Sequence, residues 1–98
     1  MSKTKYEIHY TNKFKKQYKK IIKQNKDLNK LKNIVKSLSN GNVLEEKYRD
    51  HNLINNKDFE NCRECHIEPD WLLVYKYTYD KLILLLVETG SHSELFKK

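Results

Sequence analysis

The chain has 98 residues, a formal net charge of +7 and 38% hydrophobic residues, which bounds it to one small domain whose core must be concentrated in a few segments. Its longest apolar run, Leu82–Val87, is far too short to cross a bilayer, and no apolar leader opens the chain, so the expectation is a cytoplasmic protein with no membrane partner. With two glycines and no G-x-G-x-x-G or G-K-[ST], a nucleotide-cradling loop is not expected.

In chain order, Tyr6–Tyr10 alternates Tyr6, Ile8 and Tyr10 with Glu7 and His9, a short strand. Thr11 or Asn12 can cap the helix that follows, in which Phe14, Tyr18, Ile21 and Ile22 form an apolar stripe. Asp27 caps a second helix, with Leu28, Leu31, Ile34, Val35 and Leu38 at helical spacing, and Asn40-Gly41 stops it. Neither helix stands alone at this length, so both should lie over one sheet face. Residues 13–36 carry ten lysines and one acid, Asp27. Such a block attracts a polyanion or an acidic protein segment, with Lys16, Lys20 and Lys23 on the solvent side as phosphate contacts.

Residues 42–56 are irregular, bringing Lys47, Arg49 and His51 and anchored by Leu53 and Ile54. Residues 55–58 read as a turn. Phe59–Ile67 is expected as a strand, with Cys62, Glu64 and His66 on one face and Phe59, Asn61, Arg63, Cys65 and Ile67 on the other. Glu68-Pro69-Asp70 reverses the chain into Trp71–Tyr77, where Trp71, Leu73, Tyr75 and Tyr77 share a face. Thr78–Lys81 turns again into Leu82–Thr89, apolar enough to be central and covered on most of both faces. Gly90 breaks it, and Ser91–Lys98 is a tail with His92 and Phe96 at i and i+4. The expected fold class is α+β, in the order β-α-α-β-β-β: an antiparallel meander of the last three strands, joined by Tyr6–Tyr10 as an added N-terminal edge strand, with two helices packed on one face.

Cys62 and Cys65 form a C-x-x-C on a strand, where their side chains point to opposite faces, which disfavours a disulfide or a redox pair. His66 adds a third possible zinc ligand, but no second ligand pair follows, so no metal site is expected. His51, His66, Asp70, Glu88 and His92 lie beside turns or strand ends. Histidine suits proton transfer near neutral pH. With a lysine-rich flank this points to RNA cleavage without metal, in which a base takes the proton of a 2′-hydroxyl and an acid protonates the leaving 5′-oxygen. Trp71 or Phe96 could stack on a base.

YRDH (Tyr48–His51), RECHIEPDWLLVYK (Arg63–Lys76) and ETGSHSELF (Glu88–Phe96) resemble, over nearly the whole chain, the RelE superfamily of bacterial toxins and its YafQ-like branch. The resemblance implies a RelE-like fold and a ribosome-dependent endoribonuclease that cleaves messenger RNA in the A site, without a cofactor. It implies an antitoxin partner with an acidic, disordered C-terminal segment. It gives His51, His66, Asp70 and His92 catalytic roles, makes Phe96 the aromatic that orients a base, and matches Trp71 to the family's tryptophan. Lys16, Lys20, Lys23, Lys47 and Arg49 remain the RNA contacts. The family usually carries an arginine where this chain has Glu88; a glutamate cannot clamp a phosphate. Arg63 looks more structural than catalytic. The alternative is a non-cleaving module of the same fold that binds the ribosome and its antitoxin, and Glu88 is the feature that favours it.

Overall fold

The computed structural model describes residues 5–54 and 56–96. Its elements are β1 (Glu7–Tyr10), α1 (Asn12–Lys23), α2 (Leu28–Ser39), β2 (His51–Asn52), β3 (Arg63–Glu68), β4 (Trp71–Thr78), β5 (Ile83–Gly90) and α3 (His92–Phe96). The five strands form one mixed sheet in the order β1-β5-β4-β3-β2. β3, β4 and β5 are the antiparallel meander, and β1 lies parallel to β5 at the edge, with Ile8 beside Leu84 and Tyr10 beside Leu86.

The caps read from the sequence are made. Thr11 Oγ1 accepts the N–H of Phe14 and donates to the carbonyl of Val87, fixing the start of α1 to β5. Asp27 accepts the N–H of Asn29. Gly41, at φ +77°, turns the chain out of α2 where an added Cβ would meet the Lys5 side chain at 3.3 Å. Both helices cover one face. Phe14 and Ile21 of α1 and Leu31, Ile34 and Leu38 of α2 close over Trp71, Leu73, Tyr75, Leu84 and Leu86. Each buried Leu, Ile or Phe contributes about 1.5–3 kcal/mol of transfer free energy. Trp71 donates its indole N–H to Thr89 Oγ1, which in turn donates to the Leu72 carbonyl, so the ring is buried with its polar group satisfied.

The other face carries a smaller cluster, Phe59, Cys62, Leu72, Val74 and Leu95, with Leu53, Val87 and Phe96 packed against it. It leaves Ile83, Leu85 and Val87 of β5 only partly covered, less than the expected burial on both faces. β3 begins at Arg63 and not at Phe59, because a 3-10 turn at Lys57–Phe59 and a left-handed Asn61 (φ 61°) interrupt the extended chain. That break moves Phe59 to the Cys62 side. The two-residue strand β2 was not anticipated, and the expected tail forms the short helix α3. Asn56 Oδ1 caps the 3-10 turn through the N–H of Asp58; Asn55 lies outside the described residues.

Candidate active site

The meander places its ionisable groups by alternation. Cross-strand pairs put His51, Glu64 and Val74 in one row of the bare face, and His66 and Leu72 in the next. Glu64 is only 4% exposed. One of its carboxylate oxygens stands 3.4 Å from His51 Nε2 and 3.6 Å from His66 Nε2. A charge that deep needs partners, and the two imidazoles are what it has. His51 Nδ1 lies 2.7 Å from the Arg49 carbonyl, and since a carbonyl only accepts, Nδ1 carries a proton. The contact between Nε2 and Glu64 is then attractive only with a further proton between them. Arg49 itself is left-handed, at φ 50°, which turns the loop at the end of the Glu46–Tyr48 turn.

Asp70, in the β3–β4 reversal, reaches across to α3. Its Oδ1 accepts the backbone N–H of His92 at 3.0 Å and faces His92 Nδ1 at 3.2 Å. These two contacts, the backbone one first, hold the Asp70 carboxyl below its ordinary 3.8. They also fix the His92 ring, leaving its second nitrogen to face the site. The His66 and His92 rings are 5.5 Å apart, and His92 and Phe96 are 6.3 Å apart. Phe96 leans edge-on against Phe59. Two recesses flank the histidine pair. One, of about 430 Å³, is lined by Lys30, Lys47, Arg49 and His66; the other, of about 570 Å³, by Asn56, Asp70, His92 and Phe96.

The structure thus brings together His51, His66, Asp70, His92 and Phe96, with Lys47 and Arg49 on the basic side. Other expected site residues lie elsewhere. Trp71 is fully buried under the helices, which corrects its assignment as an RNA contact: no face of the ring is open to a base. Lys20 is bonded to Glu94. That bond, before any other cause, holds the Glu94 carboxyl below its ordinary value. Lys16 and Lys23 are exposed on α1 and line neither recess. Glu88 is buried and turned to α1, accepting from Gln17 at 3.0 Å with Lys13 at 3.4 Å. Gln17 also accepts the N–H of Thr89. Arg63 donates to Asp50 and Asn52, and Asp50 accepts the Tyr75 hydroxyl at 2.5 Å, so this set ties β2 and the His51 loop to the sheet. Burial first, and then the Asp50 bond, push the Tyr75 hydroxyl well up.

Glu64 is the residue that the sequence reading left out. Alternation had already placed it on the His66 face, and a carboxylate between an inward histidine and a buried cysteine was the available signal. Glu64, His66 and His92 offer ligand atoms within 4.8 Å of one another. One carboxylate with two imidazoles suits a borderline transition metal. Cys62 and Cys65 take no part in this set: they are free thiols in the clusters on opposite faces. Burial raises both thiols above their ordinary range, which keeps them protonated and unreactive.

The chain as a whole is similar to known proteins. The chain is 42% identical to the mRNA interferase toxin YafQ of Escherichia coli (strain B / BL21-DE3), over 92% of its own length and 95% of that protein. The E. coli DinJ-YafQ toxin-antitoxin complex contains a chain that superposes with a TM-score of 0.83 at 39% identity, covering 94% of this chain and 98% of that one. A metal-bound toxin from Helicobacter pylori superposes with a TM-score of 0.85 at 41% identity, covering 93% of this chain and 99% of that one. Residues 6–97 match the family model described as bacterial toxin of type II toxin-antitoxin system, YafQ, and the chain belongs to that family.

Proposed function

We propose that this chain is an mRNA interferase: a ribosome-dependent endoribonuclease that cuts messenger RNA in the A site and is held in check by an antitoxin. The observation that carries the reading is the convergence of His51, His66 and His92, from three separate segments, around Glu64 on the face left bare by the helices. The names of its relatives as mRNA interferases, and the DinJ-YafQ complex, support it.

The chemistry follows from the arrangement. A phosphate lying between the two recesses has His66 and His92 beside it. Lys47 and Arg49 flank one side, and Phe96 is placed to stack on a base on the other. One histidine takes the 2′-hydroxyl proton as the oxygen attacks phosphorus. The other protonates the departing 5′-oxygen. Glu64 steadies the ring that becomes cationic, and Asp70 orients His92. The products are a 2′,3′-cyclic phosphate and a 5′-hydroxyl. A metal bound at Glu64, His66 and His92 would act as a Lewis acid, and would occupy two of the proton-transfer groups. The reading therefore includes cleavage without metal.

Glu88 supports a second reading. Where the family usually has a phosphate-clamping cation, a buried carboxylate engaged by Gln17 and Lys13 adds no positive charge to the site. The non-cleaving module is the alternative it favours. Incubation with a programmed ribosome decides between them. Cleavage that resists chelator and leaves cyclic phosphate and 5′-hydroxyl ends is the expected result; occupancy of the A site with intact messenger overturns it.

A further inference from the structure

The proposed chemistry places His92 and Phe96 on α3, a helix of five residues. So short a helix does not hold itself in water, and its neighbours must set the angle at which it offers the His92 ring. Asp70 does part of this. The rest lies on the α1 side. Ser91 and Glu94 cap each other: Glu94 Oε1 accepts the Ser91 N–H at 2.8 Å, and Ser91 Oγ accepts the Glu94 N–H at 3.2 Å. The Glu94 side chain folds back over Gly90, where an added Cβ would meet Oε1 at 3.0 Å, so the glycine leaves it room. The second oxygen, Oε2, is held by Lys20 Nζ of α1. Lys20 is the last of three α1 side chains at i, i+4 and i+7, a polar stripe beside the apolar one. They engage the chain leading to His92 in order: Lys13 and Gln17 at Glu88, Gln17 again at the Thr89 N–H, and Lys20 at Glu94. Buried Leu95 anchors α3 in the cluster of Phe59 and Leu72.

We propose that Lys20 and Glu94 are positioning residues: Lys20 acts through Glu94 to seat α3, and with it the approach of His92 to His66, and does not act by touching RNA. The inference rests on the reading of the chain as a nuclease. An exposed ion pair adds little to global stability. Its effect here is local, because it bears on one helical turn whose histidine must be held within about 0.5 Å of the productive geometry. A displacement of about 1 Å can cost about a hundredfold in rate. A lysine already engaged by a carboxylate also offers a phosphate little net charge. Glu94 is the joint of the device, since one of its oxygens closes the cap of α3 and the other meets α1. Glu88 belongs to the same stripe of contacts, which gives the carboxylate a place in holding the end of β5.

Three variants of the full chain test it: Lys20→Glu, Glu94→Gln and the two together. Glutamine at position 94 can still accept the Ser91 N–H, so the cap survives. The two side chains are 59% and 33% exposed, so all three variants should fold, which thermal unfolding checks. Lys20→Glu sets two carboxylates against each other. It should slow single-turnover cleavage at saturating programmed ribosome about tenfold. Adding Glu94→Gln removes the repulsion, so the double variant should cut no more slowly than Glu94→Gln alone. A second readout needs no cleavage. The His66 and His92 rings, with centroids 5.5 Å apart, should give ring-proton NOEs that weaken in Lys20→Glu and return in the double variant. Additive losses in the double variant overturn the proposal. So does a defect in Lys20→Glu confined to half-saturation and its salt dependence, which makes Lys20 an RNA contact. Unchanged NOEs in Lys20→Glu overturn it as well. A wild type that cuts nothing defeats the nuclease reading alone, and the NOE series still decides whether Lys20 seats α3.

Discussion

The same strands β3, β4 and β5 present two faces built on opposite terms. Under the helices, Trp71, Leu73, Tyr75, Leu84 and Leu86 are shut away from water, and every buried side-chain nitrogen and oxygen among the described residues is partnered. One residue along each strand, the other face has a smaller cluster and keeps Glu64, His51 and His66 at its margin. The period-two alternation of a strand is what lets so thin a protein hold a core and a site back to back. Stability should reside on one face and activity on the other.

Leu73→Ala should show the largest stability loss, about 2–5 kcal/mol, because the side chain is fully buried and its neighbours close in only partly. His92→Ala, an exposed side chain beside the bare face, should cost under about 1 kcal/mol. Denaturant unfolding of both variants measures the contrast, and equal losses break it. Tyr75→Phe removes a hydroxyl that bonds Asp50 across the sheet and should cost about 1 kcal/mol. It should also loosen β2, seen as faster amide exchange at His51 and Asn52. Glu88→Arg sharpens the comparison at the sheet edge. The new cation would face Lys13 and lose the Gln17 bond, so the fold should weaken by about 1–3 kcal/mol. A well-placed donor is worth about 3–4 kcal/mol in a transition state, so a large rise in cleavage would mean the site lacks cationic stabilisation and a small change that Lys47 and Arg49 supply it. The smallest effect concerns pH. Asp70 sits below its ordinary 3.8 because it accepts from His92. Its contribution is therefore fully present above that value and is lost only as pH falls through the depressed one. The Asp70 side-chain carboxyl carbon shift, followed by NMR, should titrate with its midpoint below 3.8; a midpoint at or above that value contradicts the contact.

Much of this was legible in the residues. The helix stripes, the caps at Thr11 and Asp27, the reversal at Pro69-Asp70 and the edge position of β1 all rest on local period and turn chemistry, which a single sequence carries. What escaped it depends on partners distant in the chain. The two residues of β2 are a strand only because Arg63 and Glu64 lie beside them. Phe59 changes sides because Asn61 turns left-handed, a choice its own pattern does not announce. Trp71 shows a conflict between two kinds of reading: alternation grouped it with Leu73 and Tyr75 on a core face, while the chemistry of an aromatic near the histidines offered it as a base-stacking contact, and burial follows the alternation. Among the lysines of α1 the sequence singled out Lys16, Lys20 and Lys23, yet Lys20, like Lys13, is tied to a carboxylate, and Lys15 and Lys19 line a cleft.

The central claim is that the bare face performs proton transfer and does not merely bind. Single-turnover cleavage on a programmed ribosome, with binding measured separately, tests it most directly for wild type, Glu64→Gln, His66→Ala, Asp70→Ala and His92→Ala. The account predicts that each histidine variant cuts about 10²–10⁴-fold more slowly, with Glu64→Gln and Asp70→Ala also impaired and ribosome binding nearly unchanged in all four. Variants that cut at the wild-type rate, or lose cleavage only in proportion to lost binding, would contradict it.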